Sequence, residues 1–296
     1  MTLAAVGQYI VSGLTAGSIY AMIALGFTLI YNTCDLVNFA QGEFAMLGGM
    51  AAVAILVGLQ LPLWLTVVLA ILITACIGGL AALIIIFPLR RVSSLGLIIM
   101  TIGLAIVLRG ASMLIWGKDA TILPVFFDHD PIRVYIGGGF FSIQWQAVWV
   151  LSAAVLVAAG LFLFFKLTNM GRAMRACAAN RRGARICGIN PQLMMVIAFM
   201  LSAGIGAIGG IVTAPITTTG YDVGIMIGLK GFCGAIIGGL RSLVGAVVGG
   251  LLIGLLESLG AGLIPSRFQL TEILPFVALL GILYLRPTGL FGGRGA

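Results

Sequence analysis

Charge is what this sequence has least of. Charged residues fill 8% of its 296 positions, against about 25% in a soluble domain. No Lys or Arg precedes Arg90. The only histidine, His129, stands between Asp128 and Asp130 with no third ligand nearby. One imidazole and two carboxylates make a poor metal constellation, so no metal site is expected there. The five cysteines (Cys34, Cys76, Cys177, Cys187, Cys233) show neither CxxC nor metal spacing. They read as small buried residues or free thiols. A GxxxxGKS/T phosphate loop is missing, which excludes ATP hydrolysis by that route, and GxSxG and HExxH are missing too. With so few catalytic groups, the reading moves from intramembrane enzyme toward transporter or channel. The N-terminus lacks a basic region, and its first apolar run outlasts a signal peptide, so no cleavable signal is expected.

What the chain does have is apolar surface. Hydrophobic residues make up 61% of it, and the mean hydropathy is +1.22. One soluble core cannot hide that much, so lipid is the solvent. The 43 glycines point the same way, because small residues let membrane helices approach closely. We read residues 1–296 as a single all-α transmembrane domain, a polytopic helix bundle. A span needs about 20 apolar residues. The candidates are 7–30, 37–58, 62–88, 95–116, 143–165, 191–213, 225–240, 244–263 and 272–286. The seventh and ninth are short and read as spans or as re-entrant or tilted segments, giving eight or nine crossings.

Basic residues then set the orientation. Arg90 and Arg91 follow the third span, an arginine-rich stretch follows the fifth, Arg241 follows the seventh, and Arg286 and Arg294 follow the ninth. With nine spans all four clusters lie on the cytoplasmic side, the N-terminus outside and the C-terminus inside. The net charge of +8 is thus a topological signal and implies no nucleic-acid partner. The connection 117–142, with Lys118, Asp119, Asp128, Asp130, Arg133, Pro124 and Pro131, reads as a partly structured external loop. Glycine pairs four apart mark helix contact faces: Gly13 and Gly17, Gly206 and Gly210, Gly234 and Gly238, Gly245 and Gly249, Gly250 and Gly254.

Ionisable residues within spans are costly and few. They are Glu43, Arg109, Lys230 and Glu257. Asp35 is positioned to cap the second span. Asn38 and Gln41, three apart, share a face if both are helical, while Glu43 points elsewhere and reaches interfacial water near the cytoplasmic end. Thr28, Asn38, Gln41, Glu43, Thr101 and Lys230 read either as a polar strip along a route or as hydrogen bonds that fix packing. Lys230 and Glu257 read as partners in a buried pair. A secondary transporter shows more intramembrane charge than this. So sparse a set suits a path that does not grip its cargo, with recognition on a separate protein.

The stretch Lys166 to Pro191 holds five arginines and no acid. Arg172 to Asn180 reads as a short helix interrupted by Gly183. Ala184 to Ile189 reads as a second turn stopped by Gly188, with Pro191 opening the next span. Ala178-Ala179, three residues, then Gly183 resembles the E-A-A-x3-G loop of ABC importer permeases, with Cys177 in place of Glu.

The whole chain resembles the LivH-type permeases of branched-chain amino acid ABC importers. The carrying segments run in order: Gly17 to Gly26, Asn38 to Glu43 with Met46-Leu-Gly48, and Gly171 to Ala176 with Gly188-Ile-Asn190. Gly228 to Phe232, Gly238-Gly239, Gly245-Ala246, Gly249-Gly250 and Glu257 complete the set. The resemblance implies the bundle of vitamin B12 and sugar importers in a bacterial inner membrane. It implies a second related permease, two ATP-binding cassette subunits that bind ATP and Mg, and a periplasmic or extracellular binding protein; no cofactor is expected in this chain. It implies that the arginine stretch is the coupling helix, through Gly171, Arg172, Arg175, Ala178, Ala179, Asn180, Gly183, Arg185 and Gly188. Arg181-Arg182-Gly183 departs from the family pattern. Relatives of this kind carry branched-chain amino acids, urea or short amides. The alternative is a self-standing amino acid channel or secondary carrier.

Overall fold

The computed structural model describes residues 2–86, 94–127, 129–136, 139–263 and 272–292. Arg90, Arg91, Asp128 and Arg294 lie outside the described residues. Seven helices are long and apolar enough to span a membrane. They are α1 (Leu3–Cys34), α2 (Gln41–Leu59), α3 (Leu63–Ala81, continued by a π-helical turn Ala82–Ile86), α4 (Ser94–Trp116), α5 (Trp145–Leu167), α8 (Pro191–Thr213) and α10 (Leu243–Leu263). Two shorter apolar helices, α9 (Val223–Gly238) and α11 (Leu274–Leu285), correspond to the two short candidates. Between α5 and α8 lie two arginine-bearing helices, α6 (Asn169–Ala179) and α7 (Arg181–Ile186).

The bundle is arranged around α1. This helix has 32 residues, roughly 48 Å at 1.5 Å per residue, and every residue from Gly17 to Ile30 is buried. A helix apolar on all sides belongs at a centre, and α1 packs against α5, α6, α8, α9 and α10. Thr2 caps its start, its hydroxyl accepting from the Ala5 amide at 3.4 Å. Its other end stops at Asp35, a left-handed residue with φ 55°. Asp35 therefore ends α1 and does not cap α2. The chain then turns back, and α2 begins at Gln41 beside Gly26 and Ser202, about 12 Å of helix short of the α1 end. Ala40 is the N-cap of α2 and makes no side-chain cap bond. Asn38 sits in the non-helical segment, where its Oδ1 accepts from the Ala40 amide at 3.1 Å, so helical spacing does not relate it to Gln41.

The glycine pairs work as contact faces within the chain. A Cβ on Gly17 would lie 2.8 Å from Leu251 Cα and 3.0 Å from Leu251 O. Gly254 in turn meets the Gly17 backbone, Gly250 meets Ala21, Gly238 meets Gly245, and Gly210 meets Ala45. Backbones thus approach with no side chain between them at α1–α10, α9–α10 and α2–α8. The connection 117–142 is more ordered than the solvated loop expected from its composition. It contains an antiparallel hairpin, β1 (Ile132–Ile136) and β2 (Gly139–Ile143), with Arg133 opposite Ser142. The hairpin sits on the start of α1, where Gln8 Oε1 accepts from the Ser142 amide at 2.9 Å. Thr121 and Thr219 form a bridge, pairing this connection with the α8–α9 turn.

The atoms facing Gly17 are backbone and cannot rotate away, so Gly17→Ala costs about 1–3 kcal/mol or more. Gly103, in α4, has open space where its Cβ would be, and Gly103→Ala is neutral or mildly stabilising. Thermal unfolding of the detergent-purified variants separates the two: the melting temperature of Gly17→Ala falls and that of Gly103→Ala does not.

Candidate translocation route and coupling surface

Helix α6 is amphipathic. Gly171, Met174 and Cys177 are buried, while Arg172, Arg175, Ala178 and Ala179 are exposed. Thr168 caps it, its hydroxyl accepting from the Gly171 amide at 3.0 Å. A Cβ on Gly171 would strike the Phe164 and Phe165 backbone, so glycine permits the fold-back of α6 onto α5. Burial pushes the Cys177 thiol up, against the opposing influence of Arg181. The interruption falls at Asn180 and not at Gly183: Asn180 is extended, and its Oδ1 accepts from the Arg182 and Gly183 amides at 3.0 Å each. Its short polar side chain caps α7, and Gly183 becomes part of that first turn. Gly188, at φ 82°, closes α7: its amide bonds Arg185 O and the Ile189 amide bonds Ala184 O, a Schellman arrangement. Asn190 then caps α8 ahead of Pro191.

The arginine helices are fastened to the end of α1. Arg181 donates to the Cys34 carbonyl. Arg241, after α9, pairs with Asp35 at 3.2 Å and lies 5.7 Å over the Tyr31 ring, while its carbonyl accepts from Asn32 Nδ2 at 3.0 Å. Two guanidinium groups therefore sit at the negative end of the α1 dipole. The segment after α11 joins the same end, through Leu290 and Phe291 amides bonded to Ile237 O and Gly238 O.

The four intramembrane charges form two pairs. Glu43 is 2% exposed and ion-paired with Arg109, which joins α2 to α4; it does not reach interfacial water. Lys230 Nζ lies 2.5 Å from Glu257 Oε1, and Tyr20 donates to Glu257 Oε2 at 2.8 Å. The ammonium is 5.6 Å over the Tyr20 ring. One carboxylate thus ties α1, α9 and α10 together. The sequence allows a Lys230–Glu257 pair without showing that the two meet, and it gives no signal for Tyr20, whose phenol is indistinguishable from a packing aromatic in sequence.

The other predicted route residues are buried as well. Gln41 Nε2 donates to Ser202 O at 3.0 Å, and the Ser202 hydroxyl points at Gln41 Oε1 (2.6 Å) and Gly26 O (2.9 Å). Ser202 carried no sequence signal beyond its small size. The Thr101 hydroxyl accepts from the Phe39 amide at 3.2 Å. Among the described residues, Thr28 Oγ1, Asn38 Nδ2, Glu43 Oε2 and Arg109 Nε are buried without a hydrogen-bond partner. Orphan atoms of this kind call for an explanation.

At the hairpin end a cavity of about 560 Å³ opens between α1, the start of α5 and the α8–α9 turn. Ser12, Thr15, Thr213, Thr217, Thr218 and Asp222 supply its polar wall; Val11, Ile19, Ile216, Met226 and Ile227 supply the apolar one. A small void of about 10 Å³ shares Thr213, Thr217, Thr218, Val223 and Ile227 with it and reaches Ala45 and Met46 of α2. None of the six sequence-predicted residues lines this cavity, but Tyr20, the partner of the Lys230 pair, does.

Breaking one side of a buried pair costs about 3–5 kcal/mol because the other charge is stranded. Lys230→Met should therefore lower the yield and melting temperature of the protein sharply, and Lys230→Met with Glu257→Gln should recover most of the loss. Equal damage from the single and double variants in a thermal-shift cycle contradicts a pairing role.

The profile of a family described as "Branched-chain amino acid transport system / permease component" matches residues 9–283. The high-affinity branched-chain amino acid transport system permease protein BraD of Pseudomonas aeruginosa is 31% identical, covering 96% of this chain and 95% of the relative. The corresponding protein LivH of Escherichia coli K12 is also 31% identical, over 96% of this chain and 95% of its own. A solved structure, PsaBC from Streptococcus pneumoniae in complex with Fab, overlaps loosely, at a TM-score of 0.43 and 16% identity over 97% of this chain and 92% of that one. With its spanning helices, its arginine-bearing helix pair and a family match running nearly end to end, the chain belongs to the permease components of branched-chain amino acid transport systems.

Proposed function

We propose that this chain is the membrane-spanning subunit of an ATP-driven importer of branched-chain amino acids. It provides the route and takes its driving force from other subunits. The observation that carries this reading is the fastening of α6 and α7 to α1: a basic helix pair, exposed on one face, grips the end of the central helix. A push on that pair is passed to the helix that also lines the cavity at the opposite end.

In this reading the arginine end is cytoplasmic, as positive residues require, and the hairpin end is external. The N-terminus lies outside, the C-terminus inside, in a bacterial inner membrane. A second related permease completes the path, two ATP-binding cassette subunits bind ATP and Mg, and an external binding protein delivers cargo onto the hairpin side. Arg172, Ala179, Asn180, Gly183 and Arg185 form the docking surface for the ATPase, Gly171 and Gly188 shape it, and Arg175 and Ala178 border it. A zwitterion enters the external cavity, where Asp222 and the threonine hydroxyls meet its charged groups and the apolar wall its side chain. Thr28, Asn38, Gln41, Glu43, Thr101 and Lys230 mark the route beyond. The unpaired atoms of Thr28, Asn38 and Glu43 support this, since helix rocking would give them partners in water or cargo.

Ala179 is exposed, so Ala179→Glu should fold normally while placing an acid on a basic face that suits an acidic partner surface. Like-charge contact at an interface is costly. Hydrolysis stimulated by the binding protein should drop on the order of tenfold or more, with leucine uptake falling alongside. Unchanged stimulation in the purified complex removes the coupling role. ATP-independent leucine flux through this chain reconstituted alone would favour a self-standing channel or carrier, and competition by urea but not by leucine would redirect the substrate to small amides.

A further inference from the structure

A second cavity, of about 450 Å³, lies at the arginine end. Three cations line it, each from a different segment: Lys166 from the last turn of α5, Arg175 from α6 and Arg241 from the turn after α9. No carboxylate lines it. Asp35 touches Arg241, but both side chains are 65% exposed, so that pair neutralises little. Lys166 and Arg175 have no ion-pair partner among the described residues. Asn32 and Ser242 add polar groups beside the cations.

The rest of the wall is apolar, from Phe162, Phe165, Leu243 and Val244. Phe162 and Val244 are themselves exposed, as are Leu163 and Leu167 on the same helix end as Lys166. The cationic pocket therefore opens onto exposed apolar helix surface, of the kind acyl chains cover. A ligand that satisfies both parts carries a phosphate anion on an acyl chain. Basic pockets between spans at the cytoplasmic side are suited to anionic headgroups.

An acidic groove of an ATPase is a different kind of occupant, and the geometry of α6 argues against it here. Gly171, Met174 and Cys177 define the buried face. At 100° per residue from Met174, Arg172 and Ala179 point away from the bundle, whereas Arg175 stands on the flank. That flank lines the cavity. The outward face remains free for a protein while the flank holds a lipid. We propose that this pocket binds the phosphate headgroup of an anionic phospholipid, bridging α5, α6 and the start of α10.

The test uses the full-length protein with the subunits that copurify with it, stripped of lipid in neutral detergent. It is titrated with dioctanoyl phosphatidylglycerol, with dioctanoyl phosphatidylcholine and with inorganic phosphate, and bound lipid is read by native mass spectrometry. Saturable binding of one phosphatidylglycerol is expected, with phosphatidylcholine clearly weaker and inorganic phosphate a poor competitor. Lys166→Gln should weaken phosphatidylglycerol about fivefold, the value of one basic residue at an anionic surface. Lys166→Arg should retain it, and Arg133→Gln, the same charge change at the hairpin end, should leave it unchanged. Equal affinity for both lipids, or undiminished binding by a monodisperse Lys166→Gln protein, overturns the proposal. Displacement by equimolar inorganic phosphate overturns it in favour of a soluble anion, and loss of the lipid whenever ATPase subunits are bound overturns it in favour of a subunit contact.

Discussion

The bundle depends on close backbone approach at α1. Helices in lipid gain little from hiding apolar side chains, because lipid is as apolar as they are. What holds them is dispersion between well-fitted surfaces and the few polar contacts that fit allows. Gly13 and Gly17 of α1 and Gly250 and Gly254 of α10 bring two backbones together directly. The Tyr20–Glu257–Lys230 contact lies within the same three-helix junction, and its 2.5 and 2.8 Å separations need helices held that near. Side chains at those glycine positions would hold the helices apart and lengthen the polar contacts with them.

The two buried pairs carry different mechanical meaning. Lys230 and Glu257 lie among α1, α9 and α10, where packing is already dense. Glu43 and Arg109 join α2 to α4, a helix most of whose surface faces outward. For α4 the pair is a tether; for the central junction the pair is a latch within a seam that glycine has already closed. Arg109 also leaves its Nε unpartnered, and Glu43 its Oε2. This tether is therefore less completely satisfied than the central one, where Tyr20 takes the second carboxylate oxygen.

Much of this was legible in the sequence for identifiable reasons. Long apolar runs have no alternative in a bilayer, so the helices fall where the hydropathy put them. The glycine pairs were readable because close approach needs an absence of side chain, and absence is visible in sequence. Asn190 and Pro191 at the start of α8 and Gly188 at the end of α7 follow local rules of capping. The errors came where tertiary structure competes with local signal. Asp35 reads as an N-cap of α2 in sequence, but it is the left-handed C-cap of α1, and the Arg241 beside it is some two hundred positions away. Gly183 reads as a helix breaker in sequence, but Asn180 Oδ1 accepts from its amide and makes it part of α7. The cavities were invisible altogether, since a void is defined by several helices at once and Asp222 has no partner along the chain to announce it.

The position of α1 gives the proposed cycle a physical route. Its last turn meets Arg181 and Arg241, its middle is held by the buried seam, and its first half lines the cavity at the hairpin end. A helix continuous over 32 residues and buried on all sides from Gly17 to Ile30 moves as a rod more readily than it bends, because bending would break ladder bonds with no water to replace them. Displacing α6 and α7 therefore does not stay local. In the proposed cycle such a displacement would load the end of α1, and the glycine seams, which have no interlocking side chains, are where helices would shift. The same feature that lets the helices pack so closely thus lets them shift, and the polar groups left unpaired in the closed packing mark where that shift would expose the chain to water or cargo.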